Sequence, residues 1–208
     1  MSLNLIKSKC LFLHIPKTGG TWVEEALKAS GVETEYANVT GGVTWRHSLV
    51  NQYTENYEFI FTFVRHPLTW YESWWKMQTS LSWPEWEPEI WHPQRILGRC
   101  ASNDFSDFIR SCIQHEPSYV SRMYEWYIGP PGYQFVDFVG RYESLVDDLV
   151  RVLKLFSQKF DELALRALPS LNVSPIQCGE PVWDPELKAQ VLALESPAVE
   201  RFYRENMP

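Results

Sequence analysis

Short apolar runs alternate along this chain with segments in which apolar residues recur every three or four positions. Apolar runs at 10–13 and 59–64 and an apolar-rich segment at 135–140 predict strands at 9–15, 58–64 and 135–140, and helical patterns follow at 21–30, 68–79 and 144–157. Uninterrupted apolar strands are typical of parallel sheets buried on both faces, and strands that alternate with helices favour such a sheet. The pattern predicts an α/β fold, a single domain with a central, largely parallel sheet flanked by helices.

The other predicted elements are less regular. Pro84, Pro88 and Pro93 lie in an irregular stretch, 80–102, and residues 1–3 have the character of a cloning remnant and add nothing to the predicted fold. We expect a short strand at 34–37, a helix beginning near Arg46, and further helices at 104–115, 118–127, 161–167, 185–195 and 198–206.

Composition agrees with one domain spanning 1–208. The chain has 208 residues, 45% of them hydrophobic, which is enough for a substantial core. Its net charge of −7 argues against a general nucleic-acid binder. The four cysteines are scattered, with no metal-ligand spacing, and indicate reduced thiols, mostly in the core, of a soluble cytoplasmic protein. We expect no bound metal, no membrane span and no signal peptide.

The most informative segment is Pro16–Trp22, PKTGGTW, between the first strand and the first helix. Glycines let a backbone approach a ligand closely, and the first N–H groups of a helix are unpaired and electropositive. Lys17 adds a full charge, so this segment predicts an anion-binding loop. A Walker A loop has its lysine after the glycines, whereas Lys17 precedes Gly19 and Gly20.

Two further strand ends carry candidate ligand-binding residues. Arg65 follows the apolar run 58–64, and Ser73 lies eight residues later, about two turns into the next helix. Arg141, Tyr142 and Glu143 follow the run 135–140. Open α/β sheets bind their ligands at the carboxyl ends of the strands, so Arg65 lies where a ligand is expected, and 141–143 is another strand-to-helix junction. Arginine suits phosphate because its planar fork donates paired hydrogen bonds.

These three segments, in this order, resemble those of sulfotransferases that use 3′-phosphoadenylyl sulfate (PAPS) and release 3′,5′-ADP (PAP). Pro16–Trp22 resembles the family's phosphosulfate loop, Arg65 and Ser73 its Arg-(x)7-Ser pair for the 3′-phosphate, and Arg141–Leu145 its RYE-x-L segment beside the adenine. The resemblance implies a P-loop-like nucleotide fold. It also implies these cofactor-binding residues: Lys17, Thr18, Gly19, Gly20, Thr21, Trp22 (packed on the adenine), Arg65, Ser73 and Tyr142.

The resemblance is closer to the carbohydrate-type branch than to the phenol and steroid branch. The late Arg-Lys-Gly segment with which cytosolic sulfotransferases complete the 3′-phosphate site is absent, whereas Asn172–Pro175 resembles a late segment of carbohydrate-type relatives. What completes the 3′-phosphate site stays open. Many carbohydrate-type relatives are membrane-anchored, so this chain is either a soluble relative or a catalytic portion.

Sulfuryl transfer needs charge neutralisation at the leaving phosphate oxygen, which suits Lys17, and a base for the acceptor hydroxyl. Related enzymes often place a histidine base in the interval that contains His47, and imidazole both accepts and releases protons near neutral pH. The catalytic candidates are therefore His47 and Lys17. His14 and His66 are expected to be structural. A carboxylate base remains open, at Glu24, Glu25 or Glu72.

The sequence says least about the hydroxyl acceptor and the residues that would bind it. Tryptophans crowd 70–91 and tyrosines follow at Tyr124, Tyr127 and Tyr133; at least half should be core, and the rest could line an acceptor-site insertion or lid at about 76–103. A hydroxyl-bearing small molecule or saccharide is expected as partner, with the oligomeric state open. Two alternatives remain: a P-loop-type kinase or nucleotide hydrolase, and a non-catalytic PAP-binding protein.

Overall fold

The structure, a computed structural model, describes residues 2–40, 47–81, 83, 96–171 and 179–204. The chain divides into two compact units. The first comprises Met1–Arg65 and Tyr124–Asn172, and the second comprises His66–Met123 and Val173–Pro208.

The first unit contains a five-stranded sheet. Its strands are β1 (Leu3–Leu5), β2 (Cys10–Phe12), β3 (Thr34–Tyr36), β4 (Phe59–Val64) and β5 (Phe138–Arg141), in the order β3-β1-β2-β4-β5. β2 pairs with β4, and β4 with β5, in parallel. β1 pairs with both β2 and β3 in antiparallel orientation. The fold is therefore α/β with a mixed sheet, and the three strands at its parallel end are those that the apolar runs predict.

The first residues of the chain belong to this sheet, contrary to our expectation for 1–3. Leu3–Leu5 is buried along its whole length between β2 and β3. Ser2 also contributes, since its Oγ accepts a 2.9 Å hydrogen bond from the backbone N–H of His14. Because this strand runs antiparallel to both neighbours, the sheet is mixed rather than largely parallel.

The described residues form eight α-helices: α1 (Gly20–Ala29), α2 (Pro67–Leu81), α3 (Phe105–His115), α4 (Tyr119–Ile128), α5 (Leu145–Leu155), α6 (Glu162–Ala167), α7 (Pro185–Leu194) and α8 (Ser196–Tyr203). In the first unit, α1 and α5 bury their apolar stripes with the sheet in one hydrophobic core. Trp22 is part of this core, as are Phe61, Phe63 and Leu149. Asp161 caps α6 by accepting from the N–H of Ala164.

The second unit is helical in its described part and is organised around a buried carboxylate. Glu195, 1% exposed, lies between α7 and α8. Its two oxygens accept hydrogen bonds from the Tyr71 hydroxyl, the N–H groups of Val120 and Ser121, and the Ser121 hydroxyl, at 2.6–3.0 Å. The acceptor oxygens thus neutralise first-turn donors of α4, which a helix leaves unpaired at its N-terminus.

The helix predicted to begin near Arg46 is wrong as far as the described residues show. Residues 41–46 lie outside them, and the segment that follows forms only a single 3₁₀ turn, Val50–Gln52. The chain there returns toward 38–40, because the Gln52 carbonyl accepts from the N–H of Thr40 at 2.7 Å and Tyr53 forms a β-bridge with Val39. These backbone bonds require an extended path.

Of the lid predicted at 76–103, residues 82 and 84–95 lie outside the described residues, and the rest comprises the end of α2 and a 3₁₀ turn, Leu97–Cys100. Cys10, Cys100 and Cys112 are buried free thiols, as expected, and Cys178 lies outside the described residues. Within the ranges given above, no helix has the length and apolar character that crossing a bilayer requires.

Candidate functional site

The site lies at the carboxyl ends of the three parallel strands. β2, β4 and β5 are neighbours, so the segments that leave Phe12, Val64 and Arg141 emerge at the same edge of the sheet. These are the three segments that the sequence selected: the glycine loop, Arg65, and Tyr142 with the residues after it.

The glycine loop makes a tight and partly strained connection between β2 and α1. Lys17 has φ 66° and Gly19 has φ 90°, so two of its residues adopt left-handed backbone, which is unfavourable for lysine. The Thr18 hydroxyl donates to the carbonyl of Ile15 at 2.9 Å and closes the turn. At Gly19 a side chain is also excluded by space, because a Cβ would lie 2.7 Å from Cδ2 of Leu145.

The N-terminus of α1 presents unpaired donors at this loop. Gly19 is the N-cap and provides no side-chain cap, and the first turn carries no acidic residue. Among the described residues, no acceptor bonds the N–H groups of Gly20, Thr21 and Trp22, the donors that a helix leaves open. The positive end of the helix dipole adds to them, so this turn favours an anion.

Lys17 places a cation beside these donors. The pKa of its amine is lowered from 10.5 to about 8, mainly by burial and in smaller part by the neighbouring Arg65 cation. Both causes penalise the charged form. An anion bound at the loop would offset the effects of burial and of Arg65 on Lys17, because its negative charge stabilises both cations.

Arg65 is held over the ring of Tyr142. Val64 and Arg141 are paired in the parallel register, so the residues that follow them, just beyond the ends of β4 and β5, come next to each other. The guanidinium Cζ lies 4.1 Å from the centroid of the Tyr142 ring, a cation–π contact. Tyr142 is 37% exposed, which leaves part of its ring open to a ligand. A long bond of 3.5 Å joins Nη1 of Arg65 to the carbonyl of Lys17.

His47 lies beside the start of α1. Its ring centroid is 4.8 Å from that of His14, edge to face. The His14 ring in turn lies against the backbone of Gly20, where a Cβ would come within 2.1 Å of the ring. The His14 ring therefore lies between His47 and the start of α1. His14 itself is a buried packing group, as expected.

Two predicted binding residues differ in setting from the rest. Trp22, expected to pack on the adenine, is 7% exposed and forms part of the core of the first unit. Ser73 lies on α2 in the second unit and is half-buried. Thr21 lies in the first turn of α1, also half-buried.

Two of the three candidate carboxylate bases, Glu24 and Glu72, accept hydrogen bonds from other side chains. Glu24 accepts from the Tyr36 hydroxyl at 3.0 Å, Glu72 accepts from the Trp183 indole N–H at 2.7 Å, and Glu25 is exposed. His66 has a structural role: its Nδ1 accepts from the N–H of Leu68 at 3.3 Å in the first turn of α2.

The sequence missed the role of two tyrosines of α4. The Tyr124 hydroxyl accepts from the N–H of Arg65 at 2.8 Å and donates to its carbonyl at 2.6 Å. The Tyr127 hydroxyl donates to the carbonyl of His47 at 2.7 Å. Their three-residue spacing is a visible signal of a shared helix face, but nothing in it identifies the residues they contact.

Most of the described tryptophans in the crowded region pack internally. Trp70, Trp74 and Trp75 are at most 2% exposed, and Trp83 donates to Asn103 at 3.2 Å, whereas Trp86 and Trp91 lie outside the described residues. Over the part of the chain that is described, no three His, Cys, Asp or Glu side chains come together as a metal site would need.

Comparisons with protein families, with curated proteins and with solved structures found no match.

Proposed function

We propose that this protein is a PAPS-dependent sulfotransferase of the carbohydrate type, with a P-loop-like nucleotide fold. One observation carries the proposal: Lys17, the open N–H groups of α1, and Arg65 with Tyr142 lie together at the carboxyl edge of three parallel strands. Two cations and a helix terminus in one place favour a ligand with several negative charges. The order of the motifs along the chain supports PAPS as that ligand.

The proposed division of roles follows from the charges. Lys17 and the first N–H groups of α1 bind the phosphosulfate end of the donor, and Arg65 binds the 3′-phosphate, a role for which the resemblance also names Ser73. Tyr142, part of whose ring is exposed, offers a flat apolar surface to the adenine. A lysine whose neighbours disfavour its charge gains most when negative charge develops nearby, so Lys17 is suited to stabilise the leaving phosphate oxygen.

In the proposed reaction an acceptor hydroxyl attacks sulfur in line with the bridging phosphate oxygen. The new sulfur–oxygen bond forms as the old one breaks, the electron pair leaves on the phosphate as PAP, and His47 takes the hydroxyl proton. The His14 ring beside His47 limits where that imidazole can lie. The acceptor is a hydroxyl-bearing small molecule or saccharide.

Calorimetric titration with PAP tests the binding half of the proposal. Lys17→Ala and Arg65→Ala should each weaken PAP binding by about 10- to 100-fold, because each removes a charged hydrogen-bond donor. Lys28→Ala is the matched control, since Lys28 is exposed in the last turn of α1 and should leave the affinity unchanged.

A transfer assay tests the chemistry and separates the alternatives. Sulfur-labelled PAPS with a panel of saccharide and small hydroxyl acceptors should give labelled product in the absence of magnesium, and His47→Ala should lose it. A kinase or nucleotide hydrolase would instead consume ATP only with magnesium. A PAP-binding protein without activity would bind PAP and label no acceptor. Failure of the wild-type protein to bind PAP would refute the proposal.

A further inference from the structure

We infer that Tyr124 and Tyr127 are a pair of positioning residues, through which α4 holds the anion-binding arginine and the candidate base in fixed relation. The inference rests on the proposed function and names two residues outside the set that the sequence motifs select. Both tyrosines are buried, at 1% and 0% exposure, and their hydroxyls bond to backbone groups of the two site residues. They act on the backbones of Arg65 and His47.

Tyr124 fixes the end of β4. Its single hydroxyl is both acceptor and donor to one residue, Arg65, at 2.8 Å to the N–H and 2.6 Å to the carbonyl. This is the pairing that an adjacent strand would supply at this position. Since the chain leaves the sheet here, the tyrosine replaces the missing ladder and keeps the backbone of Arg65 in place. A fixed backbone at Arg65 limits where its guanidinium can lie, which favours the contact with the Tyr142 ring.

Tyr127 holds the backbone of His47, which lies outside the helices and strands. His47 lies ahead of the 3₁₀ turn Val50–Gln52, outside every helix and strand. The 2.7 Å bond from the Tyr127 hydroxyl to its carbonyl ties that segment to α4. A residue on a loop needs such an anchor if its imidazole is to hold one position for proton transfer.

The three-residue spacing of Tyr124 and Tyr127 lets one helix hold both site residues. Residues three apart on a helix lie on the same face, so Tyr124 and Tyr127 present their hydroxyls in the same general direction. A rigid helix then sets the separation of the two backbones they hold. Accurate positioning of this kind matters because small displacements of reacting groups reduce rates strongly.

Tyrosine-to-phenylalanine variants test this inference because they remove one hydroxyl and keep the ring. Tyr124→Phe should weaken PAP binding about tenfold, and leave the imidazole signals of His47 in NMR spectra unchanged. Tyr127→Phe should shift the imidazole signals of His47 and lower the transfer rate, while PAP affinity stays within about twofold of wild type.

Tyr71→Phe is the matched control, since its buried hydroxyl donates to Glu195 at 2.8 Å rather than to a site residue. It should lower the melting temperature, and leave both PAP affinity and the His47 signals unchanged. A general loss of stability would move both readouts together in all three variants, and that result would overturn the inference. So would unchanged readouts in Tyr124→Phe and Tyr127→Phe. If wild-type protein fails to bind PAP, the proposed function fails instead, and the His47 signals in Tyr127→Phe still test the anchor.

Discussion

The protonation state of Lys17 should control anion binding between pH 7 and pH 9. Its pKa falls from the usual 10.5 to about 8 because the amine is buried, and because Arg65 lies nearby. In the free protein Lys17 is therefore mostly charged at pH 7 and mostly neutral at pH 9. A polyanion binds the charged form, so affinity should fall as the pH rises through about 8.

The magnitude follows from the same pKa. The difference between 10.5 and about 8 corresponds to roughly 3 kcal/mol by which the folded protein disfavours the charged amine. This penalty is fully present below pH 8, and it disappears as the pH rises from 8 to 10.5, where the unfolded chain holds the proton and the folded chain does not. A bound anion recovers part of it. About nine-tenths of Lys17 is charged at pH 7 and about one-tenth at pH 9, so the Kd for PAP should rise about tenfold.

Calorimetry at pH 7, 8 and 9 measures this effect directly, above the second pKa of a phosphate monoester, which lies near 6. Lys17→Arg should bind PAP with nearly constant affinity over the range, because a guanidinium stays charged. Lys28→Arg, on the exposed part of α1, should retain the wild-type pH dependence. Equal wild-type affinity at pH 7 and pH 9, or the same decline in Lys17→Arg, would refute the reasoning.

Three other substitutions have defined outcomes. Gly20→Ala should abolish PAP binding and lower stability by about 2 kcal/mol, because its Cβ would overlap the ring of His14; chemical denaturation and calorimetry measure both effects, and a wild-type Kd would contradict the close approach. Tyr142→Leu removes the cation–π contact with Arg65 and should raise the Kd for PAP several-fold, whereas Tyr142→Phe should stay near wild type. Glu195→Gln should destabilise the protein by about 2–4 kcal/mol in urea, since an amide cannot accept all four bonds that the carboxylate receives; an unchanged midpoint would show that those bonds contribute little.

Local pattern was sufficient for most elements and for the loop. Apolar runs at 58–64 and 135–140 predict β4 and β5, and the helical patterns after them predict α2 and α5 to within a few residues. Lys17 and Arg65 are candidate binding residues from strand ends and residue chemistry, Tyr142 is one from the family resemblance, and the binding role of all three stays a prediction. The predictions of β4, β5, α2 and α5 succeed because burial on both faces of a parallel sheet, and the opening of a helix after a strand, leave signals within a few consecutive residues.

Long-range pairing was not readable in the same way. Leu3–Leu5 is too short for its own signal, and only its neighbours β2 and β3 make it a strand and the sheet mixed. The cation–π contact of Arg65 with Tyr142 joins residues from two separate strands, and the bonds of Tyr124 and Tyr127 connect α4 to segments about 60 and 80 residues earlier. The sequence by itself determined which residues carry charge and where most of the strands and helices begin. The tertiary structure alone decided which of them meet, because hydrogen bonds between distant backbones depend on the packing of whole elements and leave no periodic trace in the chain.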